Sequence, residues 1–106
     1  MNRMVIYVDI DETICAYPNV EREYPNASPI YENINKINKL YQEGNTIIYW
    51  TARGSTTNID WRELTEEQLE KWGVKYHELK MGKPYYDLFI CDKAINSDKY
   101  FKFSKE

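Results

Sequence analysis

Met4-Val5-Ile6-Tyr7-Val8-Asp9-Ile10-Asp11-Glu12-Thr13 is the stretch that decides the fold. A nearly continuous apolar run, rich in β-branched residues, breaks abruptly into acid. Such a run predicts a strand buried on both faces. Charge is expensive to bury, so Asp9, Asp11 and Glu12 belong at or just past the strand's C-terminal end. In an open α/β sheet that edge is where ligands bind. Two carboxylates one residue apart at a strand mouth point to a divalent cation and to a nucleophile. An EF-hand loop does not fit, because Ile14 and Val20 stand where the loop needs glycine and glutamate.

Outward from that stretch, residues 14–28 hold Pro18 and Pro25 and neither period, which reads as a long loop, with room for a short hairpin, over the strand mouth. Ser28-Pro29 predicts a helix start. Ile30, Ile34, Ile37, Leu40 and Tyr41 then form one apolar stripe, and Gly44 ends it. Thr46–Trp50 is a second bulky strand, closed by Thr51-Ala52-Arg53-Gly54. After an irregular stretch holding Trp61, Thr65 and Gln68 fit a capping box, with Leu69 and Trp72 as the inner face of a short helix. Val74–Leu79 reads as a third strand and Asp87–Asp92 as a fourth, again ending in acid. Asn96 or Ser97 caps a last helix with Tyr100, Phe101 and Phe103 on its buried side.

Strands alternating with helices imply one α/β domain over residues 1–106, a Rossmann-like three-layer sandwich around a central parallel sheet. The C-terminal ends of parallel strands share an edge. Asp9, Asp11, Thr51 and Asp92 therefore converge there, and Lys83 reaches it from the loop between Gly82 and Pro84. Asp9 can attack phosphorus, Asp11 can move the proton, and Thr51 and Lys83 can hold phosphoryl oxygens. Asp9, Asp11 through its carbonyl, and Asp92 make part of a Mg2+ shell. Ile10, Thr13, Ala52 and Arg53 flank these groups as substrate-binding candidates. Arg53 has two open readings, a substrate phosphate or carboxylate contact, or a tie for the Gly54 loop. His77, the only histidine, reads as packed rather than catalytic.

Composition sets the outer limits. The net charge is −3 and the basic residues are scattered, which argues against a nucleic-acid binder. No run approaches the roughly 20 apolar residues of a membrane span, and no signal-peptide core follows Arg3, so the cytoplasm is the default. Cys15 and Cys91 form no CxxC pair and read as free thiols.

The chain resembles the haloacid dehalogenase superfamily in four places: Asp9-x-Asp11-x-Thr13, Thr51 at the end of the second strand, Lys83, and the late Asp92. YWTARGS, TEEQLEKWGVKYHEL and GKPYYDL are similar to small capless phosphatase-like proteins of bacterial capsular polysaccharide biosynthesis. The resemblance implies a fold without a cap domain, Mg2+, and phosphomonoester hydrolysis through aspartyl-phosphate. It assigns Asp9 as nucleophile, Asp11 as acid/base, Thr51 and Lys83 as phosphoryl binders and Asp92 as metal ligand. The substrate would be a small phosphorylated metabolite such as a sugar phosphate. One position departs: the family's fourth motif often ends in two adjacent acids, where this chain has Cys91-Asp92. If Asp92 is the direct ligand, Cys91 removes an outer acceptor and weakens the metal; in the reverse assignment the site is disabled. A non-catalytic module binding a phosphorylated sugar or a partner protein is the competing reading, and a homo-oligomer covering the open site stays open.

Overall fold

Long apolar runs need a partner on each side, and the strand order follows that need. The computed structural model describes residues 3–104, with the backbone alone at 103 and 104, so the expected burial of Phe103 lies outside the described residues. In chain order come β1 (Val5–Val8), β2 (Cys15–Ala16), a 3-10 turn (Tyr24–Asn26), β3 (Ser28–Pro29), α1 (Tyr31–Gln42), β4 (Thr46–Trp50), α2 (Arg62–Lys71), β5 (Glu78–Lys80) and α3 (Ser97–Ser104). The parallel sheet is ordered β1-β4-β5, with Val8 opposite Tyr49 and Tyr49 opposite Leu79. The most continuous apolar strand thus takes the centre, and its Ile47, Ile48 and Tyr49 are buried.

Side chains alternate across a strand. Ile6, Val8, Ile47, Tyr49 and Leu79 share one face and pack with Ile34 and Ile37 of α1, Leu69 of α2 and Phe101 of α3. The opposite face carries Val5, Tyr7, Trp50 and Glu78. Val5 and Tyr7 are 65% and 51% exposed, so the second helical layer of a three-layer sandwich does not cover β1 among the described residues. The α/β class with a parallel sheet stands in its coarser form.

Four local expectations change. Ser28-Pro29 does not cap α1 but pairs with Cys15-Ala16 as an antiparallel ribbon, where proline at an edge costs no ladder bond. The helix starts at Tyr31 without a side-chain cap. Helix α2 begins at Arg62, because the Asp60 carboxylate accepts the Arg62 N–H at 3.0 Å; Thr65 lies inside the helix and donates its hydroxyl back to the Trp61 carbonyl. The third strand is short because His77 uses its ring as well as its backbone: Nδ1 accepts the Ile47 N–H at 3.1 Å and its own N–H donates to the Ile47 carbonyl. The ring also stacks on Tyr41, as a packed histidine should. Finally, Asp87–Asp92 forms no strand, and Leu88 and Ile90 are 75% and 88% exposed. The last helix keeps its cap, with Asn96 Oδ1 accepting the Asp98 N–H. No described helix is long and apolar enough to cross a membrane.

Candidate active site

The chain leaves β1 at Asp9 and winds at once into a tight turn. The Thr13 and Ile14 N–H groups donate to the Ile10 carbonyl at 3.1 and 2.9 Å, and Glu12 sits at φ 61°. Ile10 and Ile14 are fully buried and pin the turn from below. Ile10 therefore offers only backbone, and its N–H donates to Asp9 Oδ1 at 2.9 Å. Thr13 is buried and its carbonyl accepts from Asn33. The turn leaves the Asp9 carboxylate partly exposed at the mouth, 3.6 Å from the Lys83 ammonium. Burial pushes the Asp9 carboxyl above its ordinary value, and Lys83 opposes that rise.

Lys83 reaches Asp9 because its backbone is docked on β4. The Lys83 N–H donates to the Thr51 carbonyl at 3.0 Å, and the Ser55 hydroxyl donates to the Lys83 carbonyl at 2.6 Å. Gly82 supplies the turn at φ 82°. The ammonium also lies over the rings of Trp50 and Tyr86, 5.9 and 5.4 Å from their centroids. Thr51 is buried at the end of β4, where its hydroxyl accepts the Arg53 N–H at 3.2 Å. An accepting hydroxyl still has its own proton to give.

Arg53 turns inward rather than toward solvent. It is 2% exposed, and its guanidinium grips Asp11 twice, Nε to Oδ2 at 3.1 Å and Nη2 to Oδ1 at 2.9 Å. Nη1 donates to Thr65 Oγ1 and Gln68 Oε1 at 3.0 and 2.7 Å, and Nη2 also to the Tyr17 hydroxyl. Every guanidinium N–H thus meets an acceptor, and the plane lies over the Tyr24 ring at 4.8 Å. Burial alone would raise the Asp11 carboxyl; the Arg53 hydrogen bonds and charge outweigh it and hold Asp11 below its ordinary value. Tyr17 donates to Asp11 Oδ1, and the Cys15 thiol lies 3.5 Å from the same oxygen. Burial pushes that thiol up to about 12, so it stays protonated. The structure matches neither reading of Arg53: its guanidinium ties Asp11 to Thr65 and Gln68 of α2, and its hydrogen bonds go to neither solvent nor the Gly54 loop.

Asp9, Asp11, Thr51 and Lys83 meet at the shared strand edge. Ala52 lies between them in the turn, its carbonyl accepting the Ser55 N–H. The metal set departs from expectation: no three His, Cys, Asp or Glu side chains gather among the described residues. Asp11 is committed to Arg53, and Asp92 is exposed beside Cys91, whose sulfur is 3.7 Å away. Arg53 takes the Asp11 carboxylate and not its carbonyl, the expected ligand atom, so among the described residues the acidic side chains alone do not complete a Mg2+ shell. A cleft of about 430 Å³ opens next to Lys83, between the Gly54–Trp61 loop and Gly82–Tyr85. Gly54 is required there, because a Cβ would sit 2.1 Å from the Ile59 carbonyl oxygen.

Sequence reasoning missed Tyr17, Tyr24, Thr65 and Gln68 as Arg53's partners. A signal existed in α2: Thr65, Gln68, Leu69 and Trp72 share one helical face, and polar side chains on a buried stripe need a buried partner.

The chain has a counterpart of known structure. The crystal structure of an MCSG target from Vibrio cholerae matches it at a TM-score of 0.80 and 26% identity, over 94% of this chain and 88% of that one. No family model and no curated protein matches. The likeness supports a shared small α/β fold over nearly the whole chain.

Proposed function

We propose that the protein hydrolyses a small phosphomonoester through a covalent intermediate on Asp9. The observation that carries this reading is the Lys83 ammonium 3.6 Å from the Asp9 carboxylate, fixed there by Thr51 and Ser55 on the neighbouring strand end. A carboxylate beside an ammonium at a strand mouth can attack phosphorus while the cation holds an equatorial oxygen. An Asp9 oxygen forms the bond to phosphorus, and the ester P–O bond breaks with its electron pair left on the departing oxygen. Water then attacks phosphorus and frees Asp9. The resemblance to the haloacid dehalogenase superfamily supports the same roles for Asp9, Thr51 and Lys83. A sugar phosphate of polysaccharide biosynthesis, met in the cytoplasm, is the substrate class it suggests. The cleft beside Lys83, with Trp61 in its wall, suits a sugar ring. Mg2+ enters no step here, because no three acidic, His or Cys side chains gather among the described residues.

The test is hydrolysis of aryl and sugar phosphates by the wild type and Asp9→Asn. Activity well above background, abolished by the substitution, together with a phosphoryl adduct on Asp9 by mass spectrometry, supports the reading. Equal background rates with retained binding of a phosphorylated sugar select the non-catalytic module. That reading draws on the commitment of Asp11 to Arg53 and on the missing metal group.

A further inference from the structure

The cleft of about 430 Å³ beside Lys83 has the size of a small-molecule pocket, too small for a polymer chain. Charge around it is distributed unevenly. The cations that flank its two walls along the chain already have partners. Arg53 is closed around Asp11, and Lys83 faces Asp9 at 3.6 Å. Lys80 donates to the Tyr7 hydroxyl at 3.2 Å, while Arg62 meets Glu66 at 3.3 Å and the Leu79 carbonyl at 2.7 Å. Asp60 is the acid in the cleft wall. Its Oδ1 accepts the Arg62 N–H, and its Oδ2 meets no donor among the described residues.

We propose that this cleft receives the leaving group, that the group is an uncharged monosaccharide, and that Asp60 turns away sugars carrying a second anionic group. The assignment rests on the phosphatase reading, which puts the phosphoryl group between Asp9 and Lys83 and leaves the adjoining cleft for the rest of the substrate.

A neutral sugar asks for an aromatic surface under its C–H face and for polar atoms around its hydroxyls. Trp61 supplies the ring, half-buried and held by an edge contact with Tyr24 at 5.2 Å. Asp60 Oδ2 and the Asn58 amide supply the polar atoms. An acidic sugar asks for more. Its extra carboxylate or phosphate would lose hydration in the cleft and find every flanking guanidinium and ammonium engaged. It would also meet the Asp60 charge. Selectivity here comes from a repulsive element as much as from attraction.

Matched phosphates of glucose and glucuronic acid, and of galactose and galacturonic acid, differ by one carboxylate and test the exclusion. At low salt the wild type should favour the neutral member of each pair by about tenfold or more in kcat/KM, and added salt should narrow the gap. Asp60→Asn keeps an oxygen for the Arg62 N–H and should bring each pair to within about threefold. Glu63→Gln makes the same charge change on α2 outside the cleft and should leave the preference in place. Calorimetry on Asp9→Asn repeats the comparison without turnover. A preference that survives Asp60→Asn, or falls equally with Glu63→Gln, overturns the role of Asp60 even where hydrolysis upholds the phosphatase. A wild type that favours the acidic sugars, or takes up no neutral sugar phosphate, overturns the subsite. Binding with the same dependence on Asp60, but no hydrolysis of any phosphate, keeps the selectivity and removes the phosphatase.

Discussion

Arg53 holds Asp11 by two parallel hydrogen bonds, 3.1 and 2.9 Å long, with the guanidinium completely enclosed. Removing one partner of such a pair strands the other charge in the interior, which typically costs about 3–5 kcal/mol. Arg53→Met should therefore lower unfolding stability by roughly that amount. Arg53→Lys should recover little of it, since an ammonium cannot match both oxygens and still reach Thr65 and Gln68. Urea denaturation measures both. Losses under about 1 kcal/mol in both variants, several-fold below the cost of a stranded buried charge, would show the pair to be incidental.

The same pair gives acid sensitivity a definite sign. The Asp11 carboxyl lies lower in the folded protein than its ordinary 3.8, so folding favours the ionised form. Its contribution is present above pH 3.8 and is lost as pH falls from there through the folded value. Asp9, raised by burial, works with the opposite sign, and its penalty is relieved on acidification. Stability measured from pH 7 downward should drop steeply below about pH 4 in the wild type. The slope should be shallower in Asp11→Asn and steeper in Asp9→Asn.

Because Asp11 is held ionised, it has no proton to give a departing alcohol. The enzyme should therefore depend strongly on how well the leaving group carries negative charge. Across a series of aryl phosphates, kcat/KM should rise by at least tenfold as the phenol pKa falls by about 3 units, and alkyl phosphates should be slow. A flat series would show that Asp11 leaves Arg53 during turnover and donates.

Tyr49 sits at the centre of the sheet, fully buried, and its hydroxyl has no hydrogen-bond partner among the described residues. An unsatisfied buried hydroxyl costs about 1–3 kcal/mol, whereas the ring itself fills the core. Tyr49→Phe should raise stability by about 1 kcal/mol, seen as a Tm higher by several degrees for a domain of this size. A lower Tm would mean that the hydroxyl is satisfied in solution.

What was readable from the chain, and what was not, divides along physical lines. Thr46–Trp50 could be placed because five consecutive bulky residues have no other way to hide. The meeting of Asp9, Thr51 and Lys83 followed from parallel strands sharing an edge. Arg53 was harder: which way a long side chain points depends on Thr65 and Gln68, contributed by the next helix. Thr65-x-x-Gln68 looks the same whether threonine opens a helix or lies on its buried face. Asp87–Asp92 reads as a strand from its apolar run, but such a run states only that it needs cover, and Leu88 and Ile90 stay exposed.

Ser55 joins the two halves of the site. Its hydroxyl donates to the Lys83 carbonyl at 2.6 Å while its N–H donates to the Ala52 carbonyl, so the Lys83 loop is tied to the end of β4 through backbone rather than through the ammonium. Losing an exposed hydrogen bond costs the fold about 1 kcal/mol or less. A misplacement near 1 Å, however, can cost up to about 100-fold in rate. Ser55→Ala should thus lower kcat by tenfold or more with little change in Tm, and KM should rise as the ammonium loses its fixed place. Ser55→Thr keeps the donor and should restore most of the rate. A variant that melts several degrees lower with kcat intact would assign Ser55 to stability alone.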